Sequence, residues 1–252
     1  MRNSYPKTEA GPYKGVAVIF AGGVGSRMEG AKRPKQFLEL GGKAIICHVL
    51  DRFEEASCIQ ALVLVCVDGW QDYLSDLVDK GGYTKVVGIA PGGETGQASI
   101  RNGLLALESL GCTCDETIVL VHDGVRPLIS SQTIEDCFAS VSARGCTAVT
   151  APVTETVVVC EGELVNSVVD RSKCRLARAP QGFVFDQLLA AHRQAISDGL
   201  NDFVDSISLM SYYGYEINVV EGPEQNIKIT SPRDFLTFKG FVDLKEYKQI
   251  WT

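Results

Sequence analysis

Arg27 and Lys35 follow a glycine-rich turn in the run Phe20 to Gln36, FAGGVGSRMEGAKRPKQ, and that combination suits a polyphosphate. Ala21, Gly22, Gly23 and Gly25 keep bulky side chains out of the turn, so backbone N–H groups can approach a ligand. The two cations supply the charge that a triphosphate and a departing pyrophosphate require. Two familiar phosphate motifs fail on spacing. A GxGxxG fingerprint starting at Gly23 places Met28 at its third glycine, and a P-loop needs a Lys where Gly30 is followed by Ala31.

A second constellation is HDGVRP, His122 to Pro127, delivered by the apolar run Ile118–Val121. Asp123 can hold a magnesium ion that bridges phosphates, because Mg²⁺ prefers a few hard oxygens and keeps several waters. Arg126 can reach a further phosphate. His122 titrates near neutrality, but at the end of a buried strand it is expected to pack and hydrogen-bond rather than act as a base. Between these segments, PGGETGQASIRNGL (Pro91 to Leu104) carries a glycine pair ahead of a helix. Gly93 would let the backbone approach a flat base, and Ser99 would add a hydroxyl contact. Further along, DRSKCRLARAPQGF contains Asp170 and Arg171, NDFVDS contains Asp205, and VEGPEQNIKIT ends near Lys228.

The elements that must position these groups alternate between two periods. Val16–Phe20, Leu62–Val67, Val86–Ile89, Ile118–Val121, Ala148–Pro152 and Ile217–Val220 read as strands. Ala44–Glu55, Asp72–Lys80, Gln97–Leu110, Gln132–Arg144 and Phe185–Ser197 show the i, i+3, i+4 spacing of amphipathic helices. This pattern predicts an α/β fold with one Rossmann-like, mainly parallel sheet covered by helices on both faces. Ligands of such sheets sit beyond the carboxyl ends of the strands, where Ala21–Gly25, Gly92–Gly93 and His122–Pro127 all fall. Thr156 to Val169, TVVVCEGELVNSVV, breaks the rhythm: two β-type runs flank a turn with no helix between them. It predicts a hairpin arm, and an isolated apolar ribbon of this kind packs most economically on a second subunit. No linker or repeat interrupts residues 1–252, so one domain is expected, with the arm at about 154–171.

The chain has 252 residues, 45% of them hydrophobic, and a formal net charge of −7. That balance gives no general attraction to nucleic acid or to an anionic membrane, so an anion must be met by a local cationic site. The polar N-terminus lacks the apolar core of a signal peptide and no run approaches membrane-spanning length, which points to the cytoplasm. The nine cysteines form no CxxC pair and mostly sit in apolar runs, where a thiol packs as a small hydrophobe. Neither a zinc site nor a disulfide framework is expected.

Taken together and in order, AGGVGSRM, RPKQFLELGGKAI, the glycine pair before Ser99, LVHDGVRP, APVTETV, DRSKCRLARAPQGF and EGPEQNIKIT resemble the CTP-dependent cytidylyltransferases that act on polyol phosphates. The resemblance covers nearly the whole chain. It implies that Ala21, Gly22, Gly93 and Ser99 hold cytosine and ribose, and that Gly25, Arg27 and Lys35 hold the triphosphate. It also implies that Asp123 binds magnesium and that Lys228 contacts CTP or the acceptor phosphate. Arg126, Thr156 and Arg171 match the acceptor-phosphate group, with Thr156 and Arg171 reaching in from the partner's arm of a homodimer. Arg27, Lys35 and Lys228 would carry catalysis by positioning and charge neutralisation, since an acceptor phosphate is already anionic and needs no strong base.

Two positions depart from the family pattern. The usual Thr-Pro-Gln is Ala179-Pro180-Gln181, and the usual Thr-Asp near the acceptor is Val204-Asp205, so two acceptor-side hydroxyls are missing while Asp205 remains. A pocket that has lost hydroxyl donors cannot hold the same polar acceptor in the same way. The expected acceptor is therefore ribitol 5-phosphate, giving CDP-ribitol, with 2-C-methyl-D-erythritol 4-phosphate as the alternative. An inactive nucleotide-binding relative is the non-enzyme alternative, and the presence of every charged residue the chemistry needs speaks against it.

Overall fold

A computed structural model describes residues 12–21 and 33–248. In chain order, β1 (Gly15–Ala21) precedes a small hairpin of β2 (Glu39–Leu40) and β3 (Lys43–Ala44). Next come α1 (Ile45–Glu55), β4 (Ala61–Cys66), α2 (Gln71–Gly81), β5 (Val86–Pro91), α3 (Gly96–Ser109), β6 (Ile118–Asp123), α4 (Ser131–Arg144) and β7 (Thr147–Pro152). The second half adds β8 (Val158–Glu161), β9 (Leu164–Val168), β10 (Arg175–Val184), α5 (Phe185–Ser197), α6 (Ser206–Tyr212), β11 (Asn218–Glu221) and α7 (Pro232–Lys248).

Strands written as unbroken apolar runs need cover on both faces, and they receive it. Ala17 and Ile19 of β1, with Leu62, Leu64 and Cys66 of β4, pack beneath α1, α2 and α4. Val16, Val18, Ala61, Val63 and Val65 point the other way, against α3, α5 and α6. The period of two thus divides each strand between two cores, and every fully buried aliphatic side chain contributes about 1.5–3 kcal/mol. A third cluster, in which Phe238 of α7 meets Ile45, Val125, Leu128 and Ile229, holds the loop after β6 against the start of α1. Local signals set the helix ends: Thr95 accepts from the Ala98 N–H at 3.1 Å to start α3, and Gly82, at φ 65°, stops α2 in a left-handed turn that other residues resist.

Among the described residues the central sheet has the order β11-β7-β10-β6-β1-β4-β5. All neighbours pair in parallel except β10, which runs antiparallel to both β6 and β7. The mainly parallel sheet and both helical layers therefore agree with the sequence pattern, while β10, α6 and α7 go beyond it. Pro180 and two arginines, Arg175 and Arg178, obscure β10. A central strand tolerates that proline because the ladder to β7 is irregular between Ala177 and Gln181.

The hairpin arm is also present. Among the described residues β8 and β9 pair only with each other, and every residue of the two strands is exposed. Cys47, Cys66, Cys112, Cys137 and Cys146 are buried in the body. Burial pushes the Cys66 and Cys137 thiols up to about 12, so both stay protonated and behave as packing groups. Among the described residues no helix is long and apolar enough to cross a membrane.

Candidate active site

Parallel strands end on a common edge, and that edge carries the candidate site. β6 ends at Asp123, whose Cα partner on β1 is Phe20, so Asp123 lies beside the end of β1. Asp123 is only 5% exposed. Its Oδ2 accepts from Arg126 Nε at 2.7 Å, and its Oδ1 lies 2.6 Å from Lys228 Nζ. Burial alone would raise its pKa, but the charges of Lys228 and Arg126 and their hydrogen bonds outweigh that and hold it at about 2. Asp123 is therefore ionised at neutral pH.

The clasp extends inward. Arg126, itself buried, donates from Nη1 to the Asn226 carbonyl at 3.0 Å, and the fully buried Asn226 donates from Nδ2 to the Ala179 carbonyl at 2.6 Å. Arg126 thus joins the end of β6 to the loop after β11 and, through Asn226, to β10. Lys228 is 39% exposed, with its ammonium 5.7 Å from the Phe20 ring centre. Phe20, Ala21, Lys35, Gln36, Asp123, Val125 and Lys228 line one cleft. Gln36 donates to the Ala21 carbonyl at 2.6 Å, which fixes Lys35 beside the end of β1.

His122 faces away from this chemistry. It is fully buried against Phe53, and burial, with the charges of Arg126 and Lys228, depresses its pKa to about 4 against the pull of Asp123. It is a neutral packing residue.

At the carboxyl end of β5, Gly93 N–H donates to Ser99 Oγ at 3.0 Å, and that hydroxyl donates to the Thr95 carbonyl at 2.9 Å. A Cβ on residue 93 would lie 2.5 Å from Ala98 Cβ, so only glycine fits this approach to α3. Ser99 accordingly sets the shape of the turn. Gln97 grips the segment that follows α5, donating to the Leu200 carbonyl and accepting from Phe203 N–H, both at 3.0 Å. Asp205 caps α6 by accepting from Ser208 N–H at 2.8 Å and accepts from Gln181 Nε2 at 3.0 Å. These bonds tie the 200–205 segment to the start of α3 and to β10.

The structure gathers Ala21, Lys35, Asp123 and Lys228 at one cleft, with Arg126 buried behind Asp123, and puts Gly93 and Ser99 at the β5–α3 turn on the same edge. Thr156 and Arg171 are exposed near the base of the arm, where Arg171 Nη1 donates to the Thr154 carbonyl at 2.7 Å. Among the described residues neither they nor Asp205 hydrogen-bonds or ion-pairs with the Asp123 group. Gly22, Gly23, Gly25 and Arg27 lie outside the described residues. Ala179 is buried, and Val204 is 93% exposed. Sequence reasoning missed Gln36, Gln181 and Asn226, polar residues buried in the body. A buried amide leaves no periodic signature, although each of these three stands in a motif already singled out: RPKQ, APQGF or EQNIK.

Among the described residues no group of three or more acidic, histidine or cysteine side chains could enclose a metal. A carboxylate that is ionised at neutral pH still suits a magnesium ion, which takes one or two protein oxygens and fills its other positions with phosphate and water. Asp123 fits that requirement, with the exposed Lys228 as its exchangeable partner.

The model of the family IspD, 2-C-methyl-D-erythritol 4-phosphate cytidylyltransferase, matches residues 16–243. Ribitol-5-phosphate cytidylyltransferase of Streptococcus agalactiae serotype III (strain NEM316) is 46% identical over 94% of this chain and 98% of its own length. 2-C-methyl-D-erythritol 4-phosphate cytidylyltransferase of Pelotomaculum thermopropionicum (strain DSM 13744 / JCM 10971 / SI) is 35% identical over 92% of this chain and 96% of its own. The crystal structure of 4-diphosphocytidyl-2C-methyl-D-erythritol synthase from Anaerococcus prevotii DSM 20548 superposes with a TM-score of 0.78, covering 92% of this chain and 96% of that one. At 23% identity that likeness speaks to the fold.

Proposed function

We propose, from the premise that this chain belongs to the IspD cytidylyltransferase family, that it transfers CMP from CTP to ribitol 5-phosphate and releases pyrophosphate. The observation that carries the nucleotidyl chemistry is the ionised Asp123 between Lys228 and Arg126, facing Lys35 across the end of β1. The choice of acceptor rests on the 46% identity to a ribitol-5-phosphate enzyme against 35% to a methylerythritol one. The missing hydroxyls at Ala179 and Val204 point the same way.

In this reading the turn after Ala21 and the Gly93 turn bind the nucleotide, with Gly22, Gly23, Gly25 and Ser99 shaping the pocket. An acceptor phosphate oxygen attacks the α-phosphorus of CTP in line. The new O–P bond forms as the bond to the β-phosphate oxygen breaks, and the electron pair leaves with pyrophosphate. Arg27, Lys35 and Lys228 neutralise the charge that develops on the α-phosphate and leaving group, so catalysis is positioning plus electrostatics. Asp123 would hold magnesium, which supplies further neutralisation of the triphosphate. Lys228 would then turn from Asp123 to a phosphate. Arg126 orients Asp123 and lies next to the acceptor, with Asp205 steadying the same side.

The chain acts as one domain and as a homodimer. Val158, Val159, Leu164, Val165 and Val168 are 42–77% exposed on a ribbon that its own body leaves uncovered, and a second copy would bury them. Thr156 and Arg171 of one arm then complete the partner's acceptor site.

Pyrophosphate release from CTP and magnesium, measured with ribitol 5-phosphate and 2-C-methyl-D-erythritol 4-phosphate in parallel, tests the assignment. We expect kcat/KM to favour ribitol 5-phosphate by at least about tenfold. A preference for the methylerythritol substrate overturns the acceptor, and silence with both overturns the enzyme.

A further inference from the structure

The acceptor side contains one cation that none of the preceding chemistry uses. Arg178 lies on β10, which runs against its neighbours and so brings its first half, rather than its last, to the edge where β1 and β6 end. Pairing with β6 ends at Gln181 opposite Val121, two residues short of Asp123, and the ladder to β7 is broken between Ala177 and Gln181. Arg178 therefore sits in an unpaired stretch level with the active carboxylate. The next residue, Ala179, is held through its carbonyl by Asn226, which in turn is held by Arg126.

Arg178 is half-buried, and its Nε is shielded from water without any hydrogen-bond partner. Among the described residues it makes no ion pair and no side-chain hydrogen bond. Burial and the like charge of Arg126 both press on its guanidinium. The cation beside Arg178, Arg126, already shares its one acid, Asp123, with Lys228. A desolvated, unanswered guanidinium is costly unless an anion completes it.

We propose, resting on the function given above, that Arg178 binds the phosphate of the acceptor and replaces the hydroxyl that Ala179 lacks, making it a specificity-determining residue for the acceptor. A guanidinium offers two parallel donors to phosphate oxygens, a stronger and more directional contact than one hydroxyl. The phosphate would lie between Arg178 and Lys228, close to the Asp123 carboxylate that orients the transfer.

Two measurements on Arg178→Met and Arg178→Lys test this. The position is partly exposed and outside a regular ladder, so both variants should fold; a cooperative melt checks that, and Arg178→Gln serves if the methionine variant fails. In the first measurement, with a non-transferable α,β-methylene analogue of CTP saturating the nucleotide site, inorganic phosphate should raise the Tm of the wild type and of Arg178→Lys but not of Arg178→Met. In the second, Arg178→Met should raise KM for ribitol 5-phosphate at least about tenfold while KM for CTP stays within about twofold, with partial recovery in Arg178→Lys. An unchanged phosphate response in Arg178→Met, or equal rises in both KM values, overturns the assignment. Inactivity of the wild type toward ribitol 5-phosphate would strike the acceptor reading instead, and the phosphate melts would still decide whether Arg178 binds the anion.

Discussion

The edge where β1 and β6 end and the ribbon of β8 and β9 handle burial in opposite ways. At the edge, Asp123 is buried and each of its oxygens meets a cation, Arg126 or Lys228. Asn226 extends that order into β10 without contributing a charge. On the ribbon four valines and a leucine stand exposed, and among the described residues Arg171 at its foot donates to the nearby Thr154 carbonyl. Arg178 stands beside the ordered cluster but, among the described residues, has no partner of its own. The contrast teaches that one chain can fix a charged cluster in advance while leaving an apolar ribbon open to solvent. Electrostatic groups must be fixed in advance to act on a transition state, whereas apolar surface can be satisfied later by another copy.

The strongest way to break the comparison is to remove a charge from the ordered side. Lys35→Ala should lower kcat by about 100- to 1,000-fold and shift Tm by no more than about 2 °C, because Lys35 belongs to no core. Pyrophosphate release and a thermal melt measured on the same sample check both halves, and near-wild-type turnover would remove Lys35 from the chemistry.

Asp123→Asn should affect function and fold together. The amide keeps the shape but loses the charge that answers Arg126 and Lys228, so magnesium-dependent activity should fall and stability should drop by about 2 kcal/mol, Lys228 being too exposed for a larger loss. The wild type should also lose stability as pH falls from about 4 towards 2, because the folded carboxylate, at about 2, takes up its proton after the unfolded one. Urea unfolding across that range should show a shallower decline in the variant; identical curves would contradict the assigned clasp.

The unfinished side is sharpened by mixing. If Arg171 completes the partner's site, equal amounts of the inactive Lys35→Ala and Arg171→Ala proteins should regain about a quarter of wild-type activity after subunit exchange. About half the dimers are then mixed, and each mixed dimer has one intact site. Verified exchange without recovery would leave Arg171 a role only within its own chain.

The smallest effect concerns the body beneath both regions. His192 is buried with both ring nitrogens unpartnered, and its pKa is depressed to about 4 by burial and by Arg101. The unfolded chain takes up that proton near pH 6.5, so stability should decline as pH falls from about 6.5 to 4. For one histidine the slope approaches about 1.4 kcal/mol per pH unit. His192→Leu should flatten the decline and be no less stable at pH 7, as read from urea midpoints at each pH.

Much of this architecture was legible in the residues. Val16–Phe20, Leu62–Val67 and Ile118–Val121 could only be strands covered on both sides, because an unbroken apolar run leaves no polar face for water. The AGG turn, HDGVRP and the lysine of NIKIT announce anion chemistry by composition, and EGEL between two valine-rich runs announces a ribbon. The sequence by itself thus determined the layers, the sheet edge where these motifs converge and the residue types available there.

Only the tertiary structure decided how those residues meet. Arg126 reads as a free phosphate ligand, yet it grips Asp123 and Asn226, a partner 100 residues away. Ser99 reads as a base contact, yet its hydroxyl holds Gly93 and Thr95. The alternation in RLARAPQGFV is too broken to declare a strand, and its direction is set by neighbours that are distant in sequence. That antiparallel insertion brings Arg178 to the active edge, and no local pattern encodes it, because strand direction follows from sheet order and long-range pairing.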